Sequence, residues 1–308
     1  MKVAIILPAY NEELTVAKTI EDFHAALPDA EIYVIDNNSA DETNTLAREQ
    51  MHRLNIKGDV LTESRQGKGN ALKTAFLKIN ADIYVLSDAD STYPATQAHE
   101  LINALIEQGA DMVVGNRQAL DTYAKQNKRR FHVFGNRFVN FLVNKLFRAE
   151  LSDIMSGYRA FTRRFIKNYP ILSEGFEIET DMTLHALHHR FKIVEVDIAY
   201  IDRPTGSVSK LNTMTDGMRV VFTLMQIFRF YKPLVFFGTL SLIFSAASLF
   251  AGYFPIKEYL ETGYIAKVPL AILASGLGVL SIVLLATGLI LDAVRRQEDL
   301  QYQLHLLR

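Results

Sequence analysis

The chain has 308 residues, a length typical of about two domains, with 33 Lys plus Arg against 34 Asp plus Glu and a formal net charge of −1. This balance argues against a nucleic-acid partner, which requires a basic surface. The complete lack of cysteine excludes disulfides, thiolate zinc sites, iron–sulfur clusters and a thiol nucleophile.

The N-terminal part of the chain alternates between strand-like and helix-like segments. Short apolar runs predict strands at 3–7, 32–35, 60–61, 83–86 and 111–115. Apolar residues at helical spacing predict helices after residue 8, around 43–54, at 71–79 and at 98–106. Strands that alternate with helices in this way predict a doubly wound α/β sheet with helices on both faces.

Two aspartates, one residue apart, follow the apolar run at 83–86. Asp88 and Asp90 would lie at the carboxyl end of a buried strand, where open α/β sheets bind ligands. Two carboxylates this close repel each other unless a cation lies between them, and Mg²⁺ or Mn²⁺ prefers oxygen ligands. The motif therefore indicates a divalent metal site, with an Asp-rich turn as the alternative.

A Gly67-Lys68-Gly69 turn precedes the predicted helix at 71–79. Its flanking spacing matches neither a Walker A loop nor a dinucleotide-binding fingerprint. A glycine-rich turn with a lysine at a helix start can receive phosphate oxygens. A flexible turn with a solvated lysine fits the same pattern, so both alternatives stay open.

The pattern changes after Arg117. A basic run at 125–130 leads into an aromatic helical stretch at 131–147, which suits either core packing or the membrane surface. A strand is predicted at 192–201, and a loop at 203–210 is rich in cations and turn formers.

A helix is predicted at 177–189, with Glu177 and Asp181 one turn apart on one face. The same helix carries His185 and His189. Because no HExxH pattern is present, a solvated face is favoured over a metal site for these histidines.

Two long uncharged runs mark the C-terminal part. Residues 234–254 form a run of 21 and residues 268–291 a run of 24. About 20 apolar residues span a bilayer as a helix, so both runs predict transmembrane helices. An amphipathic, basic segment at 214–231 is typical of a helix in the membrane interface. The expected organisation is a soluble domain at 1–212, an interfacial helix at 213–232, a two-span anchor at 233–294 and a tail at 295–308.

Flanking charges predict the orientation of the two spans. Arg229 and Lys232 flank the first span, and Arg295 and Arg296 follow the second. The connecting loop at 255–267 offsets its two lysines with two glutamates. The positive-inside rule then predicts that the soluble domain and the C-terminus are both cytoplasmic, in the cytoplasmic membrane or an ER-type membrane.

Seven short motifs follow one another along residues 8–210. They are Pro8-Ala9-Tyr10-Asn11-Glu12, Asp36 at a strand end, Gly67-Lys68-Gly69-Asn70-Ala71, Asp88-Ala89-Asp90, Gly115-Asn116-Arg117, Asp153-Ile154-Met155-Ser156-Gly157-Tyr158-Arg159 and Ser209-Lys210. Together they resemble the family 2 glycosyltransferases of the dolichyl-phosphate mannose synthase and bactoprenol glucosyltransferase type. The resemblance implies a GT-A catalytic domain at 1–212. It also implies an inverting transfer of a hexose or N-acetylhexosamine from a UDP- or GDP-linked sugar to undecaprenyl or dolichyl phosphate.

The resemblance also implies roles for single residues. Those that would bind the nucleotide sugar are Pro8, Tyr10, Glu12, Asp36, Lys68 and Asp88. Asp88 and Asp90 would hold Mg²⁺ or Mn²⁺, which neutralises the leaving diphosphate. The carboxylate expected to stabilise positive charge on the sugar is Asp153, with Asp181 as the second choice. Two departures from the family pattern are Asn37, where many relatives have an acid, and Ser91-Thr92, which leaves a third metal ligand open.

An acceptor phosphate would be the nucleophile. A phosphate monoester has its second pKa near about 6, so it needs no general base but does need cations. The candidates are Arg117, Arg129, Arg130 and Lys210, on loops expected to converge beside the membrane.

Three other functions are possible for a chain with these motifs. A processive polysaccharide synthase typically has a Gln-x-x-Arg-Trp motif, and this chain has no tryptophan. A nucleotidyltransferase would need a basic pyrophosphorylase loop near the N-terminus, which the sequence lacks. A non-catalytic, membrane-tethered nucleotide-sugar-binding subunit is disfavoured by the retained aspartates. The donor sugar, the polyprenol length and a homo-oligomeric state stay open.

Overall fold

A computed structural model describes residues 1–118, 130–171, 173, 175, 177–201, 225 and 229–306, of which 130–137 and 305–306 are described by their backbone alone. The chain divides into two compact units, Met1–Val220 and Val221–Arg308.

The described part of the first unit contains a seven-stranded sheet in the order β3-β2-β1-β4-β6-β5-β7. Its strands are β1 (Val3–Ala9), β2 (Glu31–Asp36), β3 (Gly58–Thr62), β4 (Ile83–Leu86), β5 (Met112–Asn116), β6 (Arg159–Thr162) and β7 (Ile193–Asp197). All neighbouring pairs are parallel except those made by β6, which runs antiparallel to both β4 and β5. The predicted α/β sheet is therefore confirmed, as a mixed sheet.

Helices connect the strands of this sheet. They are α1 (Val16–Ala26), α2 (Thr43–Arg53), α3 (Lys68–Lys78), α4 (Ala98–Glu107), α5 (Arg130–Phe147), α6 (Arg163–Asn168) and α7 (Ile178–His188). In α1 and α4, apolar residues at helical spacing are buried against the sheet, as the sequence pattern predicts. All four residues of β4 are buried, because a central parallel strand is covered on both faces.

Helix α5 does not bury the aromatic face that its sequence suggests. Phe138 and Phe141 are exposed, whereas Val139, Asn140 and Val143 are buried. The Nδ2 of Asn140 donates to the Ser152 carbonyl, and this hydrogen bond holds the polar face of the helix that carries Asn140 towards the protein interior. Core packing is therefore not the role of Phe138 and Phe141.

The second unit contains two long helices, α8 (Pro233–Thr262) and α9 (Val268–Leu306). Both are long and apolar enough to cross a membrane, which confirms the two predicted spans by length and composition. They pack through small residues: Ser281 Oγ donates to the Ser241 carbonyl and Ser248 Oγ to that of Ala274. The predicted interfacial helix at 213–232 falls almost entirely outside the described residues.

Candidate active site

The site lies where the parallel strands end. Asp36, Asp88 and Arg117 follow or close β2, β4 and β5, so their side chains stand at one edge of the sheet. Because β6 is antiparallel between β4 and β5, its first residues lie at this same edge. Gly157, just before β6, is thereby brought between the ends of β4 and β5.

The turn that carries the two aspartates is held by helix α1. The hydroxyls of Thr15 and Thr19 both donate to the Ala89 carbonyl, at 2.8 and 3.2 Å. Thr19 also shares a hydrogen bond of 2.8 Å with Ser91, which has a φ of 58°. Positive φ costs energy at a residue with a side chain, and the hydrogen bonds around Ser91 help to offset that cost.

The two aspartates have different surroundings. The Asp88 side chain is 30% exposed, whereas Asp90 is buried. Asp90 Oδ1 accepts hydrogen bonds from the backbone N–H and the hydroxyl of Thr92, at 3.1 and 2.6 Å. Asp88 is thus the carboxylate that solvent reaches, and Asp90 the one with a fixed orientation.

Lys68 is a buried cation between two carboxylates. Its Nζ lies 2.5 Å from Asp88 Oδ1 and 2.5 Å from Glu179 Oε1. Burial alone would lower the pKa of Lys68, but the two carboxylates hold that pKa above its ordinary value. Lys68 is therefore a fixed positive charge of the site, and the alternative of a solvated lysine is wrong.

Gly157 makes this arrangement sterically feasible. A Cβ added at Gly157 would stand 2.9 Å from Asp88 Oδ2 and 3.1 Å from Lys68 Nζ. Both separations are shorter than ordinary van der Waals contact. Any side chain at this position would displace the carboxylate, the ammonium or both.

Asn37 fixes the glycine-rich turn that delivers Lys68. Its Nδ2 donates to the carbonyls of Glu63 and Arg65, at 3.3 and 2.7 Å, and its Oδ1 accepts from the Gly67 N–H at 2.7 Å. Gly67 has a φ of 127°, which a residue with a side chain rarely adopts. The amide at position 37 therefore serves the loop, since a carboxylate could not donate to the two carbonyls.

Arg117 and Asp153 form a buried, bidentate ion pair. Arg117 Nε and Nη2 donate to the two Asp153 oxygens at 2.7 and 2.9 Å, and the Arg117 backbone N–H also donates to Asp153. Tyr93 links this pair to the metal side of the site, because its hydroxyl accepts from Arg117 Nη1 at 3.5 Å and from the Gly157 N–H at 3.1 Å. The two residues predicted to serve sugar and acceptor thus contact each other.

Arg159 is a further buried cation at the start of β6. Its guanidinium donates to the carbonyls of Ser156 and Ile154 and to the Thr183 hydroxyl. Burial lowers the pKa of Arg159 to about 10, while the charges of Glu179 and Asp153 act in the opposite direction. These bonds hold the 153–159 segment against α7.

The residues predicted to bind the nucleotide lie on the β1–β2 side of the edge. Asp36 is buried and accepts from the Ser39 N–H and Asn44 Nδ2. Glu12 Oε2 lies 3.3 Å from the Thr15 hydroxyl oxygen, and the Tyr10 hydroxyl accepts from Gln66 Nε2. Pro8 is paired with Ile35 within the sheet.

Helix α7 contributes Glu179 to the cluster. Asp181, two residues later, accepts instead a hydrogen bond of 2.8 Å from the Tyr169 hydroxyl.

The predicted solvated face is wrong for His185, which is buried next to Phe165 and Tyr169. Burial lowers the pKa of His185 to about 3, so this imidazole is neutral at pH 7.

Three of the predicted acceptor cations cannot be placed by their side chains. Arg129 and Lys210 lie outside the described residues, and Arg130 opens α5 with its backbone alone described.

The residues around Asp88 fit a divalent cation. Asp88 and Asp90 offer carboxylate oxygens, the donors that Mg²⁺ and Mn²⁺ prefer. The Lys68 ammonium already places a positive charge 2.5 Å from Asp88, and Asp88 is partly open to solvent. The assignment of a metal to these two aspartates stays a prediction.

A sequence model described as Glycosyl transferase family 2 matches residues 4–169, more than half of the chain. The chain belongs to this family. Glycosyltransferase AglJ of Haloferax volcanii is 31% identical over 293 residues, which cover 95% of this chain and 93% of that protein. The polyprenol monophosphomannose synthase of Mycolicibacterium smegmatis is 28% identical over 227 residues, which cover 68% of this chain and 80% of that protein.

The fold of this glycosyltransferase recurs in solved structures. Glucosyl-3-phosphoglycerate synthase from Mycobacterium tuberculosis, in complex with Mn²⁺, uridine diphosphate and phosphoglyceric acid, matches it with a TM-score of 0.58. The match covers 73% of this chain and 78% of that chain at 20% identity. The predicted GT-A fold and the family resemblance are confirmed.

Proposed function

We propose that this glycosyltransferase is membrane-bound and inverting, and that it transfers a hexose or N-acetylhexosamine from a UDP- or GDP-linked sugar to a polyprenyl phosphate. The observation that carries the proposal is that one chain combines two features. A carboxylate and cation cluster lies at the carboxyl edge of a family 2 sheet, and two helices of the same chain are long enough to span a bilayer. The similarity to a polyprenol monophosphomannose synthase supports the choice of acceptor.

On the donor side, the β1–β2 edge receives the nucleoside through Pro8, Tyr10, Glu12 and Asp36. Mg²⁺ or Mn²⁺ on Asp88 and Asp90 would act as a Lewis acid on the diphosphate, which is typically worth several kcal/mol. Lys68 adds a fixed positive charge beside the same group.

On the acceptor side, the nucleophile is a phosphate oxygen that is already ionised at neutral pH. Arg117 orients that phosphate, and the bidentate pair with Asp153 fixes the plane of its guanidinium. Asp153 in turn faces the positive charge that develops on the sugar. Arg129, Arg130 and Lys210 are proposed as further residues that bind the acceptor phosphate.

The membrane arrangement follows from the charges around the spans. Residues 1–212 form the catalytic domain, 213–232 the interfacial helix, 233–294 the anchor and 295–308 the tail. The catalytic domain and the C-terminus face the cytoplasm, and lipids of that membrane contact the apolar helices.

The test is a transfer assay with purified protein in detergent. The donors are UDP-glucose, UDP-N-acetylglucosamine and GDP-mannose, and the acceptors are polyprenyl phosphate, free polyprenol and a water-soluble phosphate monoester. We expect the protein to use one of the three donors and to transfer its sugar to polyprenyl phosphate but to neither of the other two acceptors. Equal transfer to free polyprenol would refute the acceptor, and binding of a donor without any turnover would favour a non-catalytic subunit.

A further inference from the structure

Glu179 has no place in the function proposed above, yet its carboxylate is one of the most confined charges of the site. Its side chain is 8% exposed and lies 2.5 Å from the Lys68 ammonium. The two residues are 111 positions apart in the sequence, so α7 and the glycine-rich turn meet at this contact. A buried carboxylate is costly unless it is paired, so the position demands a positive partner.

The partner that Glu179 holds also contacts the metal site. Lys68 Nζ is 2.5 Å from Asp88 Oδ1 as well, so one ammonium bridges Glu179 and the exposed metal-site carboxylate. A divalent cation on Asp88 must approach this ammonium closely, and like charges in a partly buried site repel strongly. Without Glu179, Asp88 would be the only carboxylate within hydrogen-bond distance of Lys68 among the described residues.

We propose, on the basis of the function proposed above, that Glu179 is a positioning residue for the metal site. Glu179 provides a second negative charge next to the Lys68 ammonium. Asp88 therefore does not have to neutralise Lys68 alone and can also bind a divalent cation. Glu179 thereby sets the metal affinity through Lys68, without contacting the metal or the substrate.

The proposal can be tested by a double-mutant cycle on Glu179 and Lys68. Glu179→Gln removes one negative charge and leaves the ammonium on Asp88, so Mn²⁺ should bind about tenfold or more weakly. Lys68→Met removes the competing cation, so Mn²⁺ should bind more tightly than to the wild type. In the double variant the ammonium that Glu179 pairs with is absent, so the loss of Glu179 should have no further effect and the affinity should match that of Lys68→Met.

The measurement is the dissociation constant of Mn²⁺, read from the electron paramagnetic resonance signal of unbound Mn²⁺ in titrations of the full-length protein without donor or acceptor. Glu177→Gln is the matched control, because Glu177 caps the same helix, is exposed and accepts from the Gly175 N–H. We expect Glu177→Gln to bind Mn²⁺ within about twofold of the wild type. The double variant guards against misfolding, because it leaves no unpaired charge at this contact.

The outcomes separate this inference from the proposed function. Equal affinity of the wild type, Glu179→Gln and Lys68→Met would overturn the role of Glu179, even if sugar transfer to polyprenyl phosphate were demonstrated. A Glu179→Gln effect that persists in the Lys68→Met background would also overturn it, since the effect would then not act through Lys68. If the wild type bound no Mn²⁺, both the inference and the metal of the proposed function would fail.

Discussion

Replacing Gly157 by alanine tests whether the close approach of Asp88 and Lys68 is needed for activity. The added methyl carbon would lie 2.9 Å from Asp88 Oδ2 and 3.1 Å from Lys68 Nζ. Ordinary contact requires roughly 3.4 Å or more, so the carboxylate oxygen must retreat by about 0.5 Å. The cost in stability should be only about 1–2 kcal/mol, because Asp88 is partly exposed and the ammonium ends a flexible side chain.

The effect on catalysis should be larger than the effect on stability. A metal–oxygen bond is about 2.1 Å long, and a displacement of half an ångström is a large part of it. Misplacement by about 1 Å costs roughly 10²-fold in rate, so we expect kcat/KM to fall by about 10- to 100-fold and Mn²⁺ to bind more weakly.

Gly109→Ala provides the control for stability. Gly109 has a φ of 57°, and a Cβ there would meet nothing within 4 Å. The substitution costs about 1–2 kcal/mol through backbone strain, and the residue precedes β5 at the opposite edge of the sheet. Thermal midpoints, transfer rates and Mn²⁺ titrations of both variants form the assay. Wild-type kcat/KM in Gly157→Ala, or equal losses in both variants, would refute the reasoning.

Further predictions concern the metal, the acceptor, pH and topology. Asp88→Asn and Asp90→Asn should each abolish transfer without unfolding the protein, as EDTA should until Mg²⁺ or Mn²⁺ is added; full activity after exhaustive metal removal would contradict this. Arg117→Lys keeps the charge but loses the bidentate geometry, so it should raise KM for polyprenyl phosphate far more than for the nucleotide sugar; a change confined to the donor KM would rule out the acceptor role. The lowered pKa of His185 means that, below pH 6.5, the unfolded chain binds a proton that the folded one does not, so stability should fall as pH drops from 6.5 towards about 3. In His185→Phe the thermal midpoint should depend less on pH over that range; the same pH dependence as in the wild type would count against this reasoning. A cysteine replacing Leu307 should be labelled only from the cytoplasmic side; labelling from outside intact cells would reverse the topology.

The strands and helices that follow local periodicity were predictable from the sequence. The apolar runs near residues 5, 34, 85 and 113 all form parallel strands, since such strands are buried on both faces and leave a continuous apolar signal. Strand β6 (Arg159–Thr162) escaped prediction because it has only four residues and opens with an arginine. Arg159 is buried by partners in the 154–156 segment and on α7, which no local pattern reveals.

The position of a single side chain in the site was predictable where that residue follows a strand. Asp88 and Arg117 are such residues. For α7, the spacing of residues in the sequence could not tell which carboxylate, Glu179 or Asp181, belongs to the site. The choice between them depends on which carboxylate meets Lys68, a contact over 111 residues. The pairing of Arg117 with Asp153 was equally hidden, because it joins two loops through the tertiary fold.

The measurement that tests the central claim most directly is mass spectrometry of both products of one reaction. Wild-type protein, Mn²⁺, the reactive nucleotide sugar and polyprenyl phosphate should yield a lipid with a single phosphate between sugar and polyprenol. An equal amount of nucleoside diphosphate should be released, and Asp88→Asn should yield neither product. A lipid with two phosphates together with a nucleoside monophosphate, or a sugar attached to anything other than the lipid phosphate, would contradict the account.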